Sequence, residues 1–128
     1  MKQANEVDHS APILVVEDNA DVRDAVCTYL EANRYTVVAA KDGVEALDYL
    51  RAGLKPSLIL LDLMMPRLDG FGFRRAQLKD PTLAAIPILV FSGTYDAAVQ
   101  AVGLGAAAHM QKPVDPKRLM ALVEQHAA

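Results

Sequence analysis

One short stretch, Leu58-Ile59-Leu60-Leu61-Asp62, constrains the fold more than any other, because four apolar residues in succession end on a carboxylate. Lys55-Pro56-Ser57 bounds it on one side and Met65-Pro66 on the other. A run this short and this apolar reads as a strand buried on both faces, which is the situation of a parallel sheet covered by helices. Burying a carboxylate is costly unless it is paired or holds a cation, so a core strand gains nothing by finishing on one. Asp62 is therefore a candidate site. An Asp that merely caps the next turn is the competing explanation, and the rest of the chain speaks against it.

The pattern recurs. Pro12-Ile13-Leu14-Val15-Val16 stops on Glu17-Asp18, residues 86–91 close on Ser92-Gly93-Thr94, and a weaker run at 106–110 leads to Lys112-Pro113. Residues 35–40 are rich in strand formers and turn through Lys41-Asp42-Gly43. Helical spacing fills the gaps. Asn19 is a good cap for a helix over 20–32 that presents Val22, Ala25, Val26, Tyr29 and Leu30, and a second helix presents Val44, Leu47 and Leu50. A helix of modest strength spans 70–79, and an alanine-rich, weakly amphipathic one spans 95–103 with Gly105 to stop it. Asp115-Pro116 opens a last helix carrying Leu119, Met120, Leu122 and Val123. Five strands alternating with five helices predict an α/β parallel sheet with helices on both faces.

Length and composition agree with a single domain. The 128 residues suffice for a core without disulfides or structural metals, and 52% hydrophobic with 23% charged residues is ordinary for a globular chain. A net charge of -3 with no basic stripe argues against direct nucleic-acid binding. Cys27 is the sole cysteine and is expected to be a small buried core thiol. No signal-peptide core or membrane-length apolar stretch is visible, which implies a cytoplasmic setting. Residues 1–10 read as a flexible leader and 11–128 as the domain, with the last helix expected to close the chain and no output domain after it. Gly103-Leu104-Gly105-Ala106 precedes a strand instead of following one, so it is not a dinucleotide fingerprint. His9, His109 and His126 lack metal-ligand spacing.

In an open parallel sheet, ligands bind outside the carboxyl ends of the strands. Those ends supply Glu17, Asp18, Asp62, Ser92 and Lys112. Three converging carboxylates repel one another, and a hard dication such as Mg²⁺ relieves the repulsion. A lysine and a hydroxyl opposite them suit the oxygens of a phosphoryl group, and a carboxylate can itself be the nucleophile. The set points to phosphoryl transfer onto Asp62.

These stretches, together with Asp69-Gly70 and Gly105-Ala106, resemble a receiver domain of a two-component response regulator, over roughly residues 12–125. The resemblance implies a flavodoxin-like doubly wound sheet of strand order 2-1-3-4-5. It implies that Asp62 accepts phosphate from a phosphohistidine on a sensor histidine kinase or histidine phosphotransfer protein. It assigns Mg²⁺ to Asp18, Asp62 and the backbone carbonyl of Met64, with Glu17 acting largely through water. Ser92 and Lys112 receive the phosphoryl oxygens, and a cis peptide bond is implied at Lys112-Pro113. Such a domain is a switch rather than an enzyme, self-catalysing at most its own phosphorylation and slow dephosphorylation. Its fourth helix shifts when Ser92 is drawn to the phosphate, and this controls an unidentified downstream protein, with a phosphorylation-dependent homodimer as one outcome.

Two positions depart from the family pattern. His109 stands where an aromatic residue is usual on the fifth strand, so a His109 that moves with Ser92 would make the output surface sensitive to pH. Met64 and Thr94 flank the implied path of the attacking water, and an apolar Met64 would lengthen the life of the phosphoryl group. Two rival functions remain on these residues. A degenerate receiver would bind partners without being phosphorylated, although the intact acids, Ser92 and Lys112 speak against it. An aspartate-nucleophile phosphohydrolase would carry a second Asp where Met64 stands.

Overall fold

The computed structural model describes residues 11–93 and 96–127. The leader 1–10, Thr94, Tyr95 and Ala128 lie outside the described residues. Among those described, five strands alternate with five helices: β1 (Ile13–Val16), α1 (Ala20–Ala32), β2 (Val37–Ala40), α2 (Gly43–Arg51), β3 (Leu58–Asp62), α3 (Gly70–Lys79), β4 (Ile88–Ser92), α4 (Ala97–Leu104), β5 (Ala108–Gln111) and α5 (Pro116–His126). The strands form one parallel sheet in the order β2-β1-β3-β4-β5. This is the flavodoxin-like order implied by the resemblance.

Every residue of β1, β3 and β4 is buried, which explains why those runs are continuously apolar. Alternation along each strand divides the core in two. Leu14, Val16, Ile59, Leu61 and Val90 pack with Leu47, Phe73 and Ala101 under α2, α3 and α4. Ile13, Val15, Leu58, Leu60, Phe91 and Met110 pack with Val26, Leu30, Leu119 and Val123 under α1 and α5. Phe73 is completely enclosed, and burial of a side chain of that size contributes about 1.5–3 kcal/mol.

Four of the five helices start with a side-chain cap, and α4, where Asp96 at the cap position makes no such bond, is the exception. Asn19 accepts from the Val22 amide at 3.0 Å, Asp42 from Glu45 at 2.9 Å, Asp69 from Gly72 at 2.8 Å and Asp115 from Lys117 at 3.1 Å. Those caps satisfy amides that a helix start leaves unpaired. Gly105, at φ 68°, ends α4 in the left-handed conformation that a glycine adopts without strain.

Several boundaries differ from the sequence expectation. Tyr35 is buried and its amide bonds the Leu30 carbonyl at 3.1 Å, so it closes α1 and β2 begins only at Val37. The Ile86 amide bonds Leu83 in a turn, Pro87 has no amide to donate, and β4 therefore starts at Ile88 and extends through Ser92. The fourth helix reaches Leu104, and β5 covers Ala108–Gln111 rather than 106–110. Cys27 is half-buried at the edge of the α1/α5 core instead of enclosed within it. Among the described residues no helix is long and apolar enough to cross a membrane.

Candidate functional site

Register brings the charged residues together. Val16 lies beside Leu61, and Asp62 beside Phe91, which in turn pairs with Met110. The ladder continues past two strands: the Glu17 amide bonds Ala40 at 3.0 Å, and the Lys112 amide bonds Ser92 at 2.9 Å. Glu17 is two residues after Val15, Asp62 two after Leu60, and Lys112 two after Met110, and all three of those apolar residues face α1 and α5. The three charged side chains thus emerge on one side of the sheet at its carboxyl edge.

Glu17, Asp18 and Asp62 each place a carboxylate oxygen within 4.8 Å of the others. Glu17 and Asp62 are buried, whereas Asp18 is exposed at the mouth of the cleft. Lys112 Nζ lies 2.5 Å from Glu17 Oε1 and 3.5 Å from Asp62 Oδ2, over the Phe91 ring at 5.3 Å from its centroid. Burial first, and then the hydrogen bond and negative charge of Glu17, push the Asp62 carboxyl up to about 8; Lys112 and the Met64 amide pull the other way.

An oxygen-only donor set and an Asp that resists ionisation beside a second acid both fit a hard dication. Met64 sits beside Asp62 through its amide, which donates to Asp62 Oδ1 at 3.3 Å. Its side chain is 62% exposed, whereas Met65 packs against the core.

Ser92 is buried at the end of β4. His109 pairs in register with Val90, two residues before Ser92, so His109 and Ser92 belong to the same face of the sheet, the one covered by α4. His109 is half-buried and lines a groove of about 330 Å³ with Ala98, Pro113 and Arg118. The peptide bond at Lys112-Pro113 is cis. Larger hollows, of about 390 and 520 Å³, lie away from the acids, lined by residues of α2, α3 and the segments that follow them.

Sequence reasoning missed four charged residues, of which Arg23, Asp42 and Arg67 lie on the segments around this cleft and Arg74 lies away from it, between α3 and the end of α4. Arg23 Nη1 donates to the Glu17 carbonyl at 3.0 Å and to the Asp18 carbonyl at 3.4 Å, fixing the acidic turn from α1. Asp42, read only as part of a turn, is buried and bound to Arg67. Arg74, on α3, is also buried, and it reaches the end of α4. A basic residue some five positions after strand-end acids would have signalled Arg23, whereas the other three depend on contacts 25 or more residues apart.

Fold and cleft together define a doubly wound α/β domain that gathers three carboxylates and a lysine at the carboxyl edge of its sheet. The model of the response regulator receiver domain matches residues 13–124, and the chain belongs to that family. Response regulator MprA of Mycobacterium sp. (strain KMS) is 41% identical over 111 residues, covering 85% of this chain and 47% of its own. A response regulator receiver protein from Pseudomonas putida superposes with a TM-score of 0.82 at 34% identity, over 91% of this chain and 98% of that one. The receiver domain of a signal transduction histidine kinase from Syntrophus aciditrophicus gives a TM-score of 0.83 at 28% identity, over 92% and 90%. The chain spans about half the length of the curated relatives it matches, from 43% to 48%.

Proposed function

We propose that this domain is a phosphoacceptor switch in which Asp62 takes a phosphoryl group from a sensor histidine kinase or a histidine phosphotransfer protein. The observation that carries the reading is the meeting of Glu17, Asp18, Asp62 and Lys112 at one point of the sheet edge. Glu17, Asp18, Asp62 and the Met64 carbonyl would hold Mg²⁺, which when bound neutralises charge on the acids and on the transferring oxygens. An Asp62 carboxylate oxygen forms the bond to phosphorus as the P–N bond to the donor imidazole breaks, and the imidazole nitrogen keeps that electron pair. Lys112 and Ser92 receive the phosphoryl oxygens. With its added charge and strong acceptor oxygens, the new group draws Ser92 and the following loop, shifting α4 and the β5 surface carrying His109. That surface controls a downstream protein, through a partner or a homodimer, without direct contact of this domain with nucleic acid. The domain is no enzyme toward other substrates; it catalyses at most its own phosphorylation and slow dephosphorylation.

Incubation with acetyl phosphate and Mg²⁺, followed by intact-mass measurement, tests this. One added phosphate in wild type and none in Asp62→Ala is the expected result. Continuous turnover of the donor would favour a phosphohydrolase, and an unchanged mass would leave a degenerate interaction module.

A further inference from the structure

The loop of residues 63–69, which joins β3 to α3 and carries Met64, is secured at both ends. At its near end the Gly70 amide bonds the Leu63 carbonyl at 3.0 Å, and a Cβ on Gly70 would meet the Asp62 carbonyl at 2.7 Å. At its far end Arg67 has a φ of 64°, a left-handed backbone that is strained for an L residue, and its Nε and Nη2 each donate to Asp42 Oδ2 at 2.7 Å. Asp42 is 3% exposed, and its other oxygen caps α2. Beside it the Gly43 amide bonds the Leu68 carbonyl at 3.3 Å, where a Cβ on Gly43 would lie only 2.7 Å from that carbonyl oxygen. Although burial works against ionisation, the Arg67 guanidinium and the Glu45 and Val44 amides hold the Asp42 carboxyl below its usual range. The edge of β2 is thereby fastened to the loop that follows Asp62. Met64, by contrast, has an exposed side chain and a long 3.3 Å contact to Asp62, too little to fix the loop from within.

We propose that Asp42 and Arg67 are positioning residues, an ion pair that holds the 63–69 loop against the acid cluster and so sets the affinity of that cluster for its dication and the rate at which Asp62 is phosphorylated. The inference rests on the phosphoacceptor reading and extends it to two residues that touch neither metal nor phosphate. Outer groups that orient metal ligands commonly change affinity by about 10–100-fold when removed.

The test uses Asp42→Asn, Arg67→Ala and the double variant, with Glu31→Gln as a control that removes a charge from the exposed face of α1. Asn caps a helix as well as Asp does, so Asp42→Asn keeps α2 while losing the ion pair. Mg²⁺ alone is titrated by calorimetry, phosphate uptake from acetyl phosphate is timed by intact mass, and Tm is measured in parallel. Both single variants should bind Mg²⁺ about tenfold more weakly and the double variant no more weakly than either, while Tm falls by a few degrees, most in Arg67→Ala, where Asp42 stays buried without its partner. Arg67→Lys should recover part of the loss. Affinities within about twofold of wild type in single variants that still take phosphate overturn the inference alone. An equal loss in Glu31→Gln also overturns it, since bulk charge would then be the cause. Wild-type protein that takes up neither Mg²⁺ nor phosphate overturns the phosphoacceptor reading, and this inference with it.

Discussion

Arg74, buried on α3, donates from Nε to the carbonyl of Leu104 at the end of α4 across 2.9 Å, and from Nη2 to Gly105 at 3.3 Å. Its third partner is Gln77, 2.8 Å away, whose amide in turn holds the Leu83 and Ile86 carbonyls. Carbonyls at a helix end lack partners within the helix and carry partial negative charge, so a cation there is well placed. Replacing Arg74 with Met should cost about 1–3 kcal/mol, because those carbonyls and Gln77 lose a charged donor. Hydrogen exchange should quicken at Gly105 and Ala106 before it does in β4. Unchanged exchange there would show that α4 is held some other way.

The Asp62 carboxyl, raised to about 8 by burial and Glu17, makes the metal-free protein sensitive to alkali. The native state binds a proton that the unfolded chain has released above its ordinary value of 3.8, so stability is greatest at low pH in this window and declines as pH rises toward 8. A fall in Tm of about 5 °C between pH 5 and 8 is expected without Mg²⁺ and should vanish in Asp62→Asn. Mg²⁺ uptake near pH 7 should release a proton, seen as a dependence of the binding heat on the buffer's ionisation enthalpy.

Lys112 competes with any cation for Glu17 and Asp62. Lys112→Ala is therefore expected to bind Mg²⁺ more tightly than wild type while taking phosphate from acetyl phosphate more slowly, two effects of opposite sign that titration and intact mass read separately. A weaker Mg²⁺ affinity would mean that Lys112 organises the acids instead of competing for them.

Met64 exposes most of its side chain beside Asp62. An amide there can align a water with the phosphorus, and a thioether cannot. Met64→Asn should shorten the phosphoryl lifetime by about tenfold, which corresponds to 1.4 kcal/mol at the barrier. Equal decay rates would remove Met64 from the account.

His109 shares a face with Ser92 under α4. Amide shifts induced in α4 by beryllofluoride should be smaller in His109→Ala than in wild type. Identical shifts would leave the imidazole as simple lining of the groove.

Element sequence and the strand-end acids were legible because each rests on local signals, a short apolar run with a polar residue at its end, whereas strand order came only with the family resemblance. Helices α1 and α3 cover 20–32 and 70–79, as spacing and, for α1, the Asn19 cap place them. The boundaries that moved did so for tertiary reasons. Tyr35 has the β propensity of its neighbours, but it is drawn into the closure of α1, and Pro87 delays β4. What could not be read were the charged side chains whose partners lie far along the chain. Asp42 reaches 25 residues to Arg67, and Arg74 reaches 30 to Leu104, distances over which no periodicity operates. Cys27 looked enclosed because its neighbours are apolar, yet its place on α1 turns it only half inward.

The parallel register has a bearing on how such a chain can change length. Removing one residue from the middle of β1, β3 or β5 would send Glu17, Asp62 or Lys112 to the opposite layer, since successive side chains point opposite ways. The carboxyl pole is thus frozen in its numbering. Residues 52–57 and 80–87, which link helices to strands at the other pole, carry no such constraint, and insertions in descendants of this sequence should accumulate there.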